Sequence, residues 1–418
     1  MSIPAEILPR DGRFGSGPSR PRSDAFGRAG QADSRVIGTS HRQEPVKSLV
    51  GRVRRCLAEL FRLPDDYEVL LGNGGASLVW DALAFTGVDG RAQAAVFGEF
   101  SSKAAKAISR VPWADCVRIE AEPGLLATCQ DGRETRANDP AGAQELAGAG
   151  ELAGARDTAG ARDAGFDQRS GSASLVAEGA KGSAAPEEID AYLYPHNETS
   201  TGVLSPVRRF GSDSALTLVD ATSAAGGVDV DIAQTDLYYF SPQKCFGADG
   251  GLWLALASPA AIERIERLAA ARWVPDVLNL ALAVKNSRAD QTLNTPSIVN
   301  LLAIAEQAEW MLSAGGLGAM DARTRASSTI LYEWAEARDY AAPFVAPEHR
   351  SNVVVTIDLD ESVPSAELRS HLRANGIVDI DPYRSLGRNQ IRVGTFPNVE
   401  ADDVRALTEC IDYVVARM

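Results

Sequence analysis

The stretch 216–252, LTLVDATSAAGGVDVDIAQTDLYYFSPQKCFGADGGL, holds two continuous apolar runs, 216–219 and 237–240. The first ends in Asp220, and the second is followed by Gln243 and Lys244. Runs without polar alternation are strands buried on both faces, the pattern of a parallel sheet covered by helices. Working outward, the same pattern recurs at 67–71, 94–97, 191–194 and 252–256, with helical periodicity between the runs. The expected fold class is α/β, a mostly parallel central sheet with helices on both faces. After about Leu317 the order becomes helix, strand (353–357), helix (365–375), strand (390–393) and a last helix from about Ala401, a smaller C-terminal α+β domain.

The chain has 418 residues, which predicts two or three domains and rules out a small stapled scaffold. Hydrophobic residues at 45% and charged residues at 23% exclude a fibrous or wholly disordered chain. A net charge of −14 repels polyanions, so nucleic acid is not an expected partner, and an anionic ligand needs a local basic cluster. No apolar run is long enough for a membrane helix, and the opening MSIPAEILPRDGRFG lacks the pattern of a secretory signal, so the expected location is the cytoplasm. Five scattered cysteines without a CxxC pair and four histidines without metal-motif spacing predict reduced thiols and no metal.

Between Ala141 and Ala185, 23 of 45 residues are Ala or Gly, too little apolar area to offset the entropy of ordering. The segment 131–186 is therefore expected to be a disordered surface insertion. Its GAGELAG phrase imitates a dinucleotide fingerprint, but no strand precedes it and composition alone makes the match.

Polar residues at strand ends matter because ligands of parallel sheets bind outside the carboxyl ends of the strands. At 70–77, LLGNGGAS runs from a strand through glycines toward a helix, and backbone N–H groups at a helix start, with Ser77, form a phosphate cradle. Alone the motif is equally a glycine turn; Asp220 alone is equally a helix cap, and Lys244 a solvated loop residue. Together, a carboxylate, a lysine 24 residues on and an upstream cradle are the parts pyridoxal phosphate requires. The lysine forms the Schiff base, the carboxylate keeps the pyridine nitrogen protonated, and the cradle anchors the phosphate. Arg384 and Arg392 flank a glycine-containing turn, so two guanidinium forks can converge on one anionic substrate.

The wording and order of DGRFGSGPS, GTSHRQEPVK, LGNGGAS, HNETSTGV, DATSAAGG, SPQKCFGADGGLW, RWVPD, NTPS, RANGIVD and PYRSLGRNQIRV resemble the phosphoserine aminotransferases, class V enzymes of fold type I, in an actinobacterial-like branch. The resemblance covers nearly everything outside the Ala/Gly segment. It implies an N-terminal segment at the mouth of the active site (1–30), a large cofactor-binding domain (31–317) and a small domain (318–418). It places the Schiff-base lysine on Lys244, the ring-nitrogen carboxylate on Asp220, the ring stack on Phe100 and the contact to the ring hydroxyl on Thr199. The cofactor phosphate falls to Gly75, Ala76, Ser77 and Gln243, completed by Asn294 and Thr295 from a second subunit, which implies a homodimer. The substrate phosphate falls to His41, Arg42 and Arg384, and its α-carboxylate to Arg392, with Ser16 and Gly17 close by. The implied reaction is ping-pong transfer of an amino group between glutamate and 3-phosphohydroxypyruvate, giving O-phosphoserine and 2-oxoglutarate in serine biosynthesis. Use of 4-phosphohydroxy-threonine on the pyridoxine route is implied as well.

Two positions depart from the family pattern: Phe100 stands where many members carry tryptophan, and Tyr383 where many carry histidine. Three other readings compete. A cysteine desulfurase needs a thiol on a loop well after the lysine, and Cys245 and Cys410 do not fit. Alanine–glyoxylate or serine–pyruvate transamination shares the cofactor chemistry and differs in lacking the phosphate pocket that SHR and PYR suggest. A silent relative is opposed by the intact Lys244 and Asp220.

Overall fold

A computed structural model describes residues 1–22, 27, 36–131, 174–176 and 188–418. The large unit opens with α1 (Glu44–Leu60), whose Val46, Leu49, Val50, Val53, Leu57 and Leu60 recur at helical spacing and are buried. Then follow β1 (Glu68–Asn73), α2 (Ala76–Thr86), β2 (Arg91–Val96), α3 (Glu99–Ile108), β3 (Asp115–Glu120) and β4 (Ser174–Val176). Next come β5 (Ala191–Pro195), the two-residue strands β6 (Asn197–Glu198) and β7 (Val203–Leu204), β8 (Leu216–Asp220), β9 (Leu237–Phe240) and β10 (Leu252–Ala257). The helices α4 (Pro259–Ala271), α5 (Leu280–Arg288), α6 (Ile298–Ser313) and α7 (Gly316–Glu336) follow, then β11 (Ala341–Pro343), β12 (Val354–Leu359), α8 (Ser365–Arg373), β13 (Gln390–Gly394) and α9 (Ala401–Val415).

The main sheet has the order β1-β10-β9-β8-β5-β2-β3-β4. Its centre, from β3 through β2, β5 and β8 to β9, is parallel. The junctions β9–β10, β10–β1 and β3–β4 are antiparallel. The turn in direction at β10 follows from its connection: only the loop 241–251 separates β9 from β10, and without a crossover helix the chain must return antiparallel. Alternate residues divide between the faces. Leu71, Ala95, Tyr194, Val219, Phe240 and Leu254 pack with α1 and α6, whereas Leu70, Ala94, Leu193, Leu218, Tyr239 and Ala255 pack with α2 to α5. This buries the sheet on both sides, as the apolar runs require.

The second sheet, β11-β12-β13, is antiparallel and shares a core with α7, α8 and α9 that also takes in Ile3 and Phe14. The N-terminal segment joins it through the backbone: Phe14 N donates to Val378 O (3.3 Å), and Gly394 N to Phe14 O (2.8 Å). Glycine is required there, because a Cβ on Gly12 would lie 2.2 Å from Gly376 O.

Most elements coincide with the expected runs to within a few residues. The polar DCVRIE strand β3, where only Cys116 and Ile119 are buried, had no apolar signature, nor had the short edge strand β11. The expected division at 317/318 falls inside the first turn of α7. The expected disorder of 131–186 lies outside the described residues, except at Asp131 and at 174–176, which form β4 where no strand was expected. Among the described residues no helix is long and apolar enough to cross a membrane, and no cluster suited to a metal ion is found.

Candidate active site

Asp220 ends β8, and Lys244 follows its parallel neighbour β9, so both stand at the carboxyl end of the sheet. Lys244 is 9% exposed, and its Nζ donates to Ser16 O (2.6 Å) of the N-terminal segment. Ser19 locks the same junction: its N donates to Gln243 O (2.8 Å) and its hydroxyl to Lys244 O. Gly17 has φ +137°, and a Cβ there would lie 2.0 Å from the Lys244 Nζ. The lysine thus occupies space that any residue but glycine would take. Burial, reinforced by the nearby Arg392 charge, lowers the Lys244 pKa to about 8. A buried amine so shifted can exchange protons near neutral pH.

The Asp220 carboxylate is buried and accepts from Trp80 Nε1 (2.8 Å), Thr222 N (3.0 Å) and Thr222 Oγ1 (2.6 Å). Burial raises its pKa in spite of these bonds. Among the described residues it makes no ion pair, so a cation placed against it meets a carboxylate already oriented and dehydrated. Thr199 follows β6, and its Oγ1 donates to Ser223 Oγ (2.8 Å), to which Asn197 Nδ2 also donates (2.8 Å).

Strand alternation places Ile391 and Val393 in the core and Arg392 on the opposite face. Its Nη1 donates to Thr199 O (2.9 Å), while its Nε is buried without a partner. Burial lowers its pKa, and Glu198 opposes the shift. Phe100, in the first turn of α3, packs against Tyr383 (ring centroids 5.5 Å). Arg384 is exposed beside it.

Gly75 precedes α2, with Ala76 and Ser77 in its first turn, where backbone N–H groups have no intrahelical acceptor. Gln243 Oε1 and Ser16 Oγ are buried without partners. These orphaned atoms, the bare helix start and the unpaired Asp220 fit the anionic, cationic and polar parts of pyridoxal phosphate.

A second group lies beside the glycine turn. His41 is buried and its Nδ1 meets Thr295 Oγ1 (3.2 Å). Asn294 N donates to Asn73 Oδ1 (3.1 Å) and Asn73 Nδ2 to Thr295 O (3.3 Å), at the end of β1 just before the glycine turn. Arg42 is exposed. Among the described residues no hydrogen bond, ion pair or ring contact joins His41 or Arg42 to Arg384 or Arg392.

Sequence reasoning missed two residues. Trp80 reads as ordinary helix core, and nothing in the sequence links it to Asp220. Glu198 is fully buried and accepts from Ser101 N (2.9 Å), Ser101 Oγ (2.8 Å) and Ser200 Oγ (2.7 Å), which ties the first turn of α3 to β6. A glutamate amid the small polar residues of HNETS was the available signal, and Gly98 permits the contact, since its Cβ would lie 2.4 Å from Glu198 Cγ.

Residues 184–379 match the family model described as aminotransferase class-V. Over 422 residues the chain is 49% identical to a putative phosphoserine aminotransferase of Mycobacterium avium (strain 104), covering 100% of this chain and 98% of that protein. Over 421 residues it is 45% identical to the phosphoserine aminotransferase of Nocardioides sp., covering 99% and 98%. Among solved structures, a phosphoserine aminotransferase from Cytophaga hutchinsonii aligns with a TM-score of 0.76 at 21% identity, covering 96% of this chain and 99% of that one. Ureidoglycine-glyoxylate aminotransferase from Bacillus subtilis aligns at 0.72 with 16% identity, covering 100% and 94%. Two activities on one fold mean that the fold alone does not select the substrate.

Proposed function

The chain belongs to the phosphoserine aminotransferase family, and on that premise we propose how its residues divide the work. It is a pyridoxal-phosphate-dependent aminotransferase of fold type I, exchanging an amino group between glutamate and 3-phosphohydroxypyruvate to give 2-oxoglutarate and O-phosphoserine. When bound, pyridoxal phosphate supplies a carbonyl that reacts with amines and a ring that accepts electron density. Gly75, Ala76, Ser77 and Gln243 hold its phosphate, Phe100 covers its ring and Thr199 meets its ring hydroxyl. Asp220, oriented by Trp80 and Thr222, stabilises positive charge on the ring nitrogen.

The observation that carries this reading is the gathering of Lys244 and Asp220 at the carboxyl end of the main sheet, with Arg392 of β13 in the second sheet close enough that its charge adds to burial in lowering the Lys244 pKa. As a free amine, Lys244 would take the proton from the α-carbon of the amino donor and, in the other half-reaction, give one to the α-carbon of the acceptor, with Ser16 O fixing where the amine waits. Arg392 offers Nε and the free edge of its guanidinium to the α-carboxylate common to both amino acids. The segment 1–30 we assign to the mouth, through Ser16 and Gly17, with 31–317 as the cofactor domain and 318–418 as the small domain. The location we infer is the cytoplasm.

Asn294 and Thr295 we assign to the site of a second subunit, and with them His41, whose Nδ1 meets Thr295 Oγ1 at 3.2 Å, and its neighbour Arg42. Each lost charge-assisted contact to the substrate phosphate costs about 1.5–3 kcal/mol. Arg42→Ala and Arg384→Ala should therefore each lower kcat/KM for O-phosphoserine roughly 10- to 150-fold. Mixing Arg42→Ala with Lys244→Ala and allowing subunits to exchange should restore up to about a quarter of wild-type activity, since half the dimers are mixed and each has one intact site. An active monomer in sedimentation, or no recovery on mixing, would contradict the shared site.

A further inference from the structure

Tyr383 stands between two working groups. The Arg392 guanidinium carbon lies 5.2 Å from the Tyr383 ring centroid, and the Phe100 ring meets the same ring at 5.5 Å and 66°. Beyond Phe100, the Lys103 ammonium lies 5.9 Å from its ring and pairs with Glu99 (2.9 Å). Ser385, two residues after Tyr383, donates to Glu99 Oε2 (3.2 Å). The loop at 383–385 thus grips the first turn of α3 at two points and touches β13 at a third.

We propose that Tyr383 is a positioning residue for Arg392, holding the guanidinium plane so that its unpaired edge faces the substrate α-carboxylate, and coupling that arm to the helix that carries Phe100. The inference rests on the assignment of Arg392 to the α-carboxylate. The backbone of β13 fixes only the base of a long side chain, and among the described residues its hydrogen bond is the one from Nη1 to Thr199 O. An aromatic face is the partner that constrains such a group without consuming an N–H, leaving Nε for a carboxylate. Because both amino-acid substrates present that carboxylate, the effect must appear in both half-reactions, unlike the loss of a phosphate contact.

The test uses full-length holoenzyme carrying Tyr383→Leu, with Tyr383→Phe as the variant that keeps the ring. Tyr383→Leu should raise KM for glutamate and for O-phosphoserine alike, by roughly 5- to 30-fold, with kcat changed less than about threefold. Tyr383→Phe should restore the wild-type KM. Independently of activity, phenylglyoxal should modify Arg392, followed by peptide mass spectrometry, several-fold faster in Tyr383→Leu than in Tyr383→Phe, with Arg405 as the internal standard. Should Tyr383→Leu not fold, Tyr383→Met takes its place. An unchanged KM or an unchanged Arg392 modification rate in the ring-less variant overturns the proposal, as does a Tyr383→Phe variant as impaired as Tyr383→Leu. If the substrate reading were wrong, the wild type itself would fail to turn over O-phosphoserine, while the glutamate KM and the Arg392 modification rate would still report on Tyr383.

Discussion

Lys244→Ala should lower glutamate-dependent turnover roughly 10⁴-fold, the upper range for a lost general acid–base group, with loss of the covalent attachment added. The cause is local. Lys244 Nζ is the amine held at Ser16 O in the space opened by Gly17. Removing it leaves one carbonyl without its donor, so the fold should persist and thermal melting should shift by only a few degrees. Steady-state assay with melting measured on the same sample checks this. Turnover within tenfold of wild type would remove Lys244 from the chemistry.

Asp220→Asn should cost roughly 10²- to 10³-fold in kcat, the penalty for removing one charge of a buried pair. The carboxamide is neutral, and it has one acceptor where the carboxylate uses both oxygens, one toward Trp80 and one toward Thr222. One of those donors must face an NH₂ group, so cofactor affinity should fall as well, readable as a weaker dissociation constant in a titration of cofactor-free protein. Asp220→Glu should recover less than wild type, because Trp80 and Thr222 fix where the carboxylate sits. Near-normal turnover of Asp220→Asn would sink the assignment.

What the sequence made legible follows from how each feature is encoded. Strands such as β8 and β9 were readable because both faces are buried, which leaves an uninterrupted apolar run, and Asp220 and Lys244 were readable because they punctuate those runs. β3 was not, since the half-buried Asp115, Arg118 and Glu120 break the run and erase the signal. The partners that tune the site were equally hidden. Trp80 reaches Asp220 across 140 positions and Ser16 reaches Lys244 across 228, contacts made by the packing of α2 and of the N-terminal segment rather than by local pattern. Phe100 and Tyr383 were visible as departures from the family wording, but only the fold brings them together. The association of His41 with Thr295, likewise, depends on where two loops meet.

The central claim is that the site selects a phosphorylated substrate, and the amino-acceptor spectrum of the purified enzyme with glutamate as donor tests it most directly. On the proposed assignment of Arg42 and Arg384, the phosphate gains two or more charge-assisted contacts that pyruvate and glyoxylate cannot make. The ratio of kcat/KM for 3-phosphohydroxypyruvate over either should therefore be at least roughly 10²-fold. Equal use of the three acceptors, or a preference for pyruvate or glyoxylate, would contradict the account and leave a general class V aminotransferase in its place.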